Sequence, residues 1–215
     1  MFPDMVPARK DLESILKKDE WDFGNNLLYD LCSKYPLHNK KEIVIAKILF
    51  IGRIYAAAIE RRKNKNEDSD TYYIKKVAPT LIKSRLDHKL NSLNKLRGIT
   101  EKNVPQILET HYYLSKLFYQ ISGLNKRSLS SKYLHFHKPN LFFIYDSRAV
   151  KALGKLLPRY KLNEDMKTLL TKNVDKDYVK FCLKSLVLKS KFEQSLGREI
   201  SLREYDKILI HHSSK

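Results

Sequence analysis

Asp146 is the residue of this chain with the most chemistry gathered around it. It stands in "SKYLHFHKPNLFFIYDSRAV" (131–150), behind two histidines and five aromatic residues, and no other acidic residue lies between Glu109 and Glu164. A carboxylate isolated in this way can stabilise a cationic transition state, or take a proton from water or an amine. The same position, directly ahead of "SRAV", also fits a helix N-cap, where an Asp side chain accepts a bond from a backbone amide. The residues leave both roles open.

Upstream, "SGLNKRSLSS" (122–131) reads as the end of one helix, a tight turn and the start of another. Gly123 closes the first helix and Asn125 lies in the turn. Lys126 and Arg127 charge the turn, and Ser128, Ser130 and Ser131 open the second helix. Free amides at a helix N-terminus, with two cations beside them, suit a phosphate. The candidate nucleic-acid contacts are therefore Gly123, Asn125, Arg127 and Ser128, with Lys132 and Arg148 further along. His135, His137 and Tyr145 are the candidates for lining a substrate pocket. His135 and His137 are two positions apart on a helix and point to different faces, which makes them a poor metal pair. No metal and no cofactor is expected.

The bulk properties favour a polyanionic partner. Lys and Arg number 42 against 24 Asp and Glu, a formal net charge of +18, and duplex DNA is the expected partner because each neutralised phosphate releases counterions. Cys32 and Cys182 stand far apart in apolar helical patterns and read as reduced thiols, not as a disulfide or zinc framework. No apolar run approaches the roughly 20 residues of a membrane span, and "MFPDMVPARK" lacks the hydrophobic stretch of a signal peptide. The expectation is a cytoplasmic protein with no membrane partner.

The elements that would hold these residues are helices. Only six glycines and seven prolines occur in 215 residues. "DLESILKKD" and "WDFGNNLLYDLCSKYP" are short amphipathic patterns. "KKEIVIAKILFIGRIYAAAIERRKNK" predicts a long, central, buried helix closed by Arg61, Arg62 and Lys63, with Arg53 buried against a carboxylate or carbonyls. A helix interrupted at Pro79 should run from about Thr71 to Gly98, and another from a Thr100 N-cap to Gly123. "SRAVKALGKLLPRY" should end at Pro158, "NVDKDYVKFCLKSLVLKSKFEQSLG" should start near Asp175 or Asp177, and Ser201 with Glu204 spells a capping box for the last helix. No strand pattern appears. The expected fold is all-α, a two-lobed helical bundle with a helix-hairpin-helix element. Residues 1–70 with 155–215 would form one lobe, and 71–154 the hairpin-containing lobe.

The order helix, glycine-bearing turn, helix, aromatic loop with proline, apolar–apolar–Asp, helix resembles the helix-hairpin-helix DNA glycosylase superfamily over residues 100–155. In that family a "GVG-K-TA"-like turn grips a DNA phosphate, and a "P-V-D-T-H-V"-like segment carries the catalytic Asp. Here "SGLNKRSLSSKYLHF" takes the place of the first and "FFIYDSRAV" of the second. The chain departs from the pattern in having one glycine in the turn and "IYDSR" for "PVDTH". The resemblance implies that Asp146 is the catalytic acid/base and that Lys126, twenty positions earlier, matches the nucleophilic lysine of the bifunctional members. In a shifted register "SLSSKYLHF" matches "KTASxxLxF", Ser128 takes the lysine's place, and the activity would be of the monofunctional, water-using kind. The implied function is base excision, with or without a lyase step. The alternatives are a non-catalytic nucleic-acid-binding module on the same scaffold, or an interaction protein of a defence or stress system.

Overall fold

The computed structural model describes residues 7–61, 71–158, 168–171 and 173–213. Among them the chain forms ten α-helices and no strand, as the composition predicts. These are α1 (Arg9–Ile15), α2 (Glu20–Lys34), α3 (Lys41–Ile54), α4 (Ala78–Ile82), α5 (Leu86–Ser92), α6 (Val104–Ser122), α7 (Arg127–His137), α8 (Ser147–Leu156), α9 (Lys176–Leu196) and α10 (Leu202–Ser213). No helix of the described residues is long and apolar enough to cross a membrane.

Several helix ends follow directly from local chemistry. Asp19 caps α2 by accepting from the amide of Trp21, and Asp22 returns the bond to the amide of Asp19. Gly123 takes the left-handed conformation that closes α6 (φ 70°), which glycine adopts without a Cβ clash. Ser201 and Glu204 exchange side-chain-to-amide bonds of 2.8 and 3.1 Å at the start of α10, the expected capping box. At α6 the predicted Thr100 is half of a reciprocal pair. Asn103 accepts from the Thr100 amide at 2.8 Å, and the helix begins after Asn103.

Two expectations need correction. The long central helix stops at Ile54, not near Lys65, and the chain turns back through three alanines. Ala57 donates to the Gly52 carbonyl at 2.7 Å, and a Cβ on Gly52 would lie only 3.1 Å from the Ala58 Cα, so the reversal needs glycine there. Ala56 sits at φ 52°, a conformation costly for a residue with a Cβ. The break leaves Arg53 on the outside, 66% exposed, paired with Glu60 at 3.0 Å instead of buried. Arg62, Lys63 and the polar loop expected at 64–70 lie outside the described residues. The helix expected over 71–98 is broken into a π-turn (Tyr73–Val77), α4 and α5. Pro79 sits in the first turn of α4, where its missing N–H costs nothing. The second break falls at Ser84, whose hydroxyl bonds the Leu81 carbonyl and takes the Leu86 amide. Gly98 lies beyond the end of α5 and does not cap it.

Two apolar cores hold the helices. One gathers α1, α8, α9, α10 and the start of α6, around Tyr178, Cys182, Phe192 and Tyr205. The other gathers α2, α3, residues 72–93, the rest of α6 and α7, around Ile48, Phe118 and Tyr133. Among the described residues before 70, α1 contributes to the first core, and α2 and α3 contribute to the second. The extended stretch 142–146 runs between the cores. Side chains alternate along extended backbone, so Phe142 enters one core and its neighbour Phe143 the other. Asp146 follows three residues later.

Candidate active site

Where the two cores meet, a cavity of about 250 Å³ opens to solvent. Five elements contribute to it: the start of α2 (Asp19, Trp21), the end of α3 (Ile54, Tyr55, Ala56), Lys132 of α7, Asp146 and Arg148 at the head of α8, and Arg203, Asp206, Lys207 and Ile210 of α10. Clefts between packed units are the usual place for ligands.

Asp146 takes the capping role that its position allowed, and its second oxygen faces a lysine. One oxygen, Oδ1, accepts from the Ala149 amide at 2.9 Å and caps α8. The other, Oδ2, lies 3.7 Å from the Lys132 amine. Lys132 is only 3% exposed. Its amine also donates to the Tyr55 carbonyl at 3.1 Å and stands over the Tyr55 ring. The turn at Ala56 aims that carbonyl into the cavity. Burial pulls the Lys132 pKa below the ordinary 10.5, against the upward pull of Asp146 and Asp206. Desolvation is one of the ways a lysine amine is made nucleophilic.

α10 supplies the remainder. Asp206 is 3% exposed, and its Oδ2 accepts from Arg203 Nη1 at 2.6 Å. Its Oδ1 and the Arg203 Nε have no partner among the described residues. Burial raises the Asp206 carboxyl to about 6, Asp146 adds to the rise, and Arg203 and Lys132 oppose it. Lys207 ties α10 to α2 through Asp19 at 3.0 Å and Asp22 at 3.3 Å. Trp21 stands 64% exposed at the rim. Beside it, the outer face of α8 carries Arg148, Lys151 and Lys155, all exposed at helical spacing.

The other residues named from the sequence go elsewhere. Lys126 does not join Asp146. Its amine bonds the carbonyls of Ala58 (3.3 Å) and Arg61 (2.7 Å), and with Asn125 and Ser128 it lines a separate groove. Asn125 accepts from the Arg127 amide at 3.1 Å, so one of the amides expected for a phosphate is already taken. Arg127 is turned inward. It chelates Asp175 at 2.6 and 2.7 Å, reaches Asp177 at 2.8 Å and lies over the Tyr145 ring. Because Asp175 also caps α9 through the Tyr178 amide, this pair is a strut between the hairpin turn and α9. Asp175→Ala should cost about 3 kcal/mol or more, since it strands a part-buried guanidinium and removes a cap. A urea titration should show that loss.

His135, His137 and Tyr145 do not line the cavity either. His135 is fully buried between the Phe142 carbonyl (Nδ1, 2.8 Å) and the Tyr29 hydroxyl (Nε2, 2.7 Å). His137 bonds the Tyr133 carbonyl and Lys47, and stacks on His38. Tyr145 borders a shallow groove against α9. Burial pushes His135 and His111 down to about 4. Their neutral forms fit the fold, so this stability is complete above the unfolded value of 6.5 and lost as pH falls toward 4. Asp206, raised to about 6, favours the fold as pH falls and offsets one of the two histidines. The urea midpoint should accordingly drop between pH 7.5 and pH 5.

No protein-family model, no curated protein and no solved structure matches the chain, so its chemistry is read from the geometry of this cavity.

Proposed function

We propose that the protein excises a base from DNA, with Lys132 as nucleophile and Asp146 as the carboxylate that serves it. The observation that carries this reading is the buried Lys132 amine, 3.7 Å from Asp146 Oδ2, in a cavity at the junction of the two cores. The resemblance to helix-hairpin-helix glycosylases supports it through Asp146, but the lysine is Lys132 and not Lys126.

The neutral Nζ forms a bond to the sugar C1′ while the C1′–N bond breaks, and that electron pair leaves with the base. Asp146 Oδ2 offsets the oxocarbenium-like charge and takes the proton released by the new N–C1′ ammonium. Asp146 returns that proton to O4′ as the sugar ring opens to a protonated imine on Lys132. Asp146 then takes a C2′ proton, the 3′ phosphate oxygen leaves and the strand breaks, and water releases Lys132. A cavity of about 250 Å³ requires the base to leave the stack before it reacts. The +18 charge and the Arg148–Lys151–Lys155 face beside the opening suit the phosphate backbone.

The test is base release from duplexes carrying uracil, hypoxanthine, oxidised or alkylated bases, beside an abasic duplex. Strand breaks without alkali are expected on at least one base-bearing duplex and on the abasic one. Tight, salt-sensitive binding with no break on any substrate would replace this reading with the non-catalytic module.

A further inference from the structure

Half of the large apolar side chains that the described residues expose stand on α2 and α3. Trp21 belongs to the rim of the cavity. The other four make a second surface, each between 46% and 74% exposed. Phe23 and Leu27 are one turn apart on α2, and Phe50 and Ile54 one turn apart on α3. The two helices run antiparallel, because the Tyr55 hydroxyl bonds Asn25 at one end and Lys47 bonds the Tyr35 carbonyl at the other. Four such side chains expose on the order of 400 Å², the size at which an apolar patch on a monomer marks an interaction site. Two features of α2 say what covers it. A Cβ on Gly24 would meet nothing within 4 Å, so no contact inside the chain asks for glycine in mid-helix, where it weakens the helix. A second helix passing close over it does. Glu20 and Lys34, both exposed, lie seven positions before and after Leu27, about two turns each way.

We propose that the protein forms a twofold-symmetric dimer through this face, with α2 packed antiparallel on α2 of a second copy about Leu27. A twofold interface must be complementary to itself. In this arrangement Glu20 of each chain meets Lys34 of the other, and the apolar residues close the space between. Opposite charges at equal distances from one apolar residue satisfy the symmetry, whereas like charges there would repel. The area agrees as well. A stable interface takes about 800 Å² from each partner, apolar at its core and polar at its rim. The four apolar residues supply the core, and Glu20, Asp30 and Lys34 the rim. Duplex DNA does not suit this face, because α2 and its cap carry Asp19, Glu20, Asp22 and Asp30 against Lys34 alone. The pairing would stand without base excision.

The experiment is analytical ultracentrifugation of the full chain without DNA. Wild type should sediment as a dimer at micromolar concentrations and dissociate on dilution. Leu27→Arg should weaken the dimer at least about 100-fold, since it places a charge from each copy on the twofold axis. Its circular dichroism should match wild type, because the side chain it replaces is largely exposed. Lys34→Glu should weaken the dimer about tenfold at low salt, and Glu20→Lys combined with Lys34→Glu should restore it. That rescue is specific to the antiparallel register. A wild type that stays monomeric overturns the proposal, as does a dimer that Leu27→Arg leaves intact or a double exchange weaker than Lys34→Glu alone. A monomer that floats with phosphatidylcholine vesicles would assign the face to a membrane surface and overturn the dimer equally.

Discussion

Lys132→Gln is expected to abolish the borohydride-trapped adduct and to slow base release by roughly 10³-fold or more, the scale on which loss of a nucleophile is felt. The reasoning is geometric. Lys132 is the amine that the fold carries to the Asp146 carboxylate, at 3.7 Å, and it is desolvated there by α3 and α7. Glutamine keeps a donor for the Tyr55 carbonyl and most of the side-chain volume, so the variant should fold with a near-native urea midpoint. The companion variant Lys126→Gln should keep the adduct, since that amine serves the carbonyls of Ala58 and Arg61. The pH profile carries the same message. A neutral amine is the reactive form, so the rate should rise with pH and level off below the 10.5 of an exposed lysine.

Asp146→Asn is expected to slow base release by about 10²–10⁴-fold while leaving stability almost untouched. Asparagine caps helices as well as aspartate does, so the bond to the Ala149 amide survives. A residue that served only as a cap would show no loss of activity in this variant. Asp146→Ala, which removes the cap as well, should cost about a further 1 kcal/mol of stability. The carboxylate also favours the charged form of Lys132. Its removal should therefore lower the lysine pKa and move the residual activity's plateau to lower pH, an effect no structural role would produce. Measuring kcat against pH in the two enzymes, with urea midpoints alongside, separates these outcomes.

Much of the fold was legible in the sequence because it is written locally. The Ser201–Glu204 box, the glycine closing α6 and the Asp ahead of α8 are each settled within four residues of chain. The pairing of helices was not legible. That the segment after α1 reaches the last helix rests on a contact across about 190 residues, Lys207 with the Lys17 carbonyl, and no local pattern encodes it. Distance along the chain points to Lys126, whereas the fold places Lys132 beside Asp146. The signal that finds Lys132 is helical phase. Leu129, Lys132, Tyr133 and Phe136 stand at i, i+3, i+4 and i+7, so Lys132 occupies a core position among buried neighbours. Asp206 carries the same mark between Leu202, Tyr205 and Leu209. A charged residue where the helical stripe demands an apolar one is expensive, and here Lys132 of α7 and Asp206 of α10 line one cavity. His135 also interrupts an apolar pattern, yet two protein acceptors and donors satisfy its ring fully, which leaves it nothing to offer a substrate.

The most direct test of the central claim is to trap the protein on an abasic duplex with borohydride, digest it, and locate the sugar remnant by mass spectrometry. The adduct is predicted on the peptide bearing Lys132. An adduct on Lys126, or no adduct while strand breaks still form, would contradict the account.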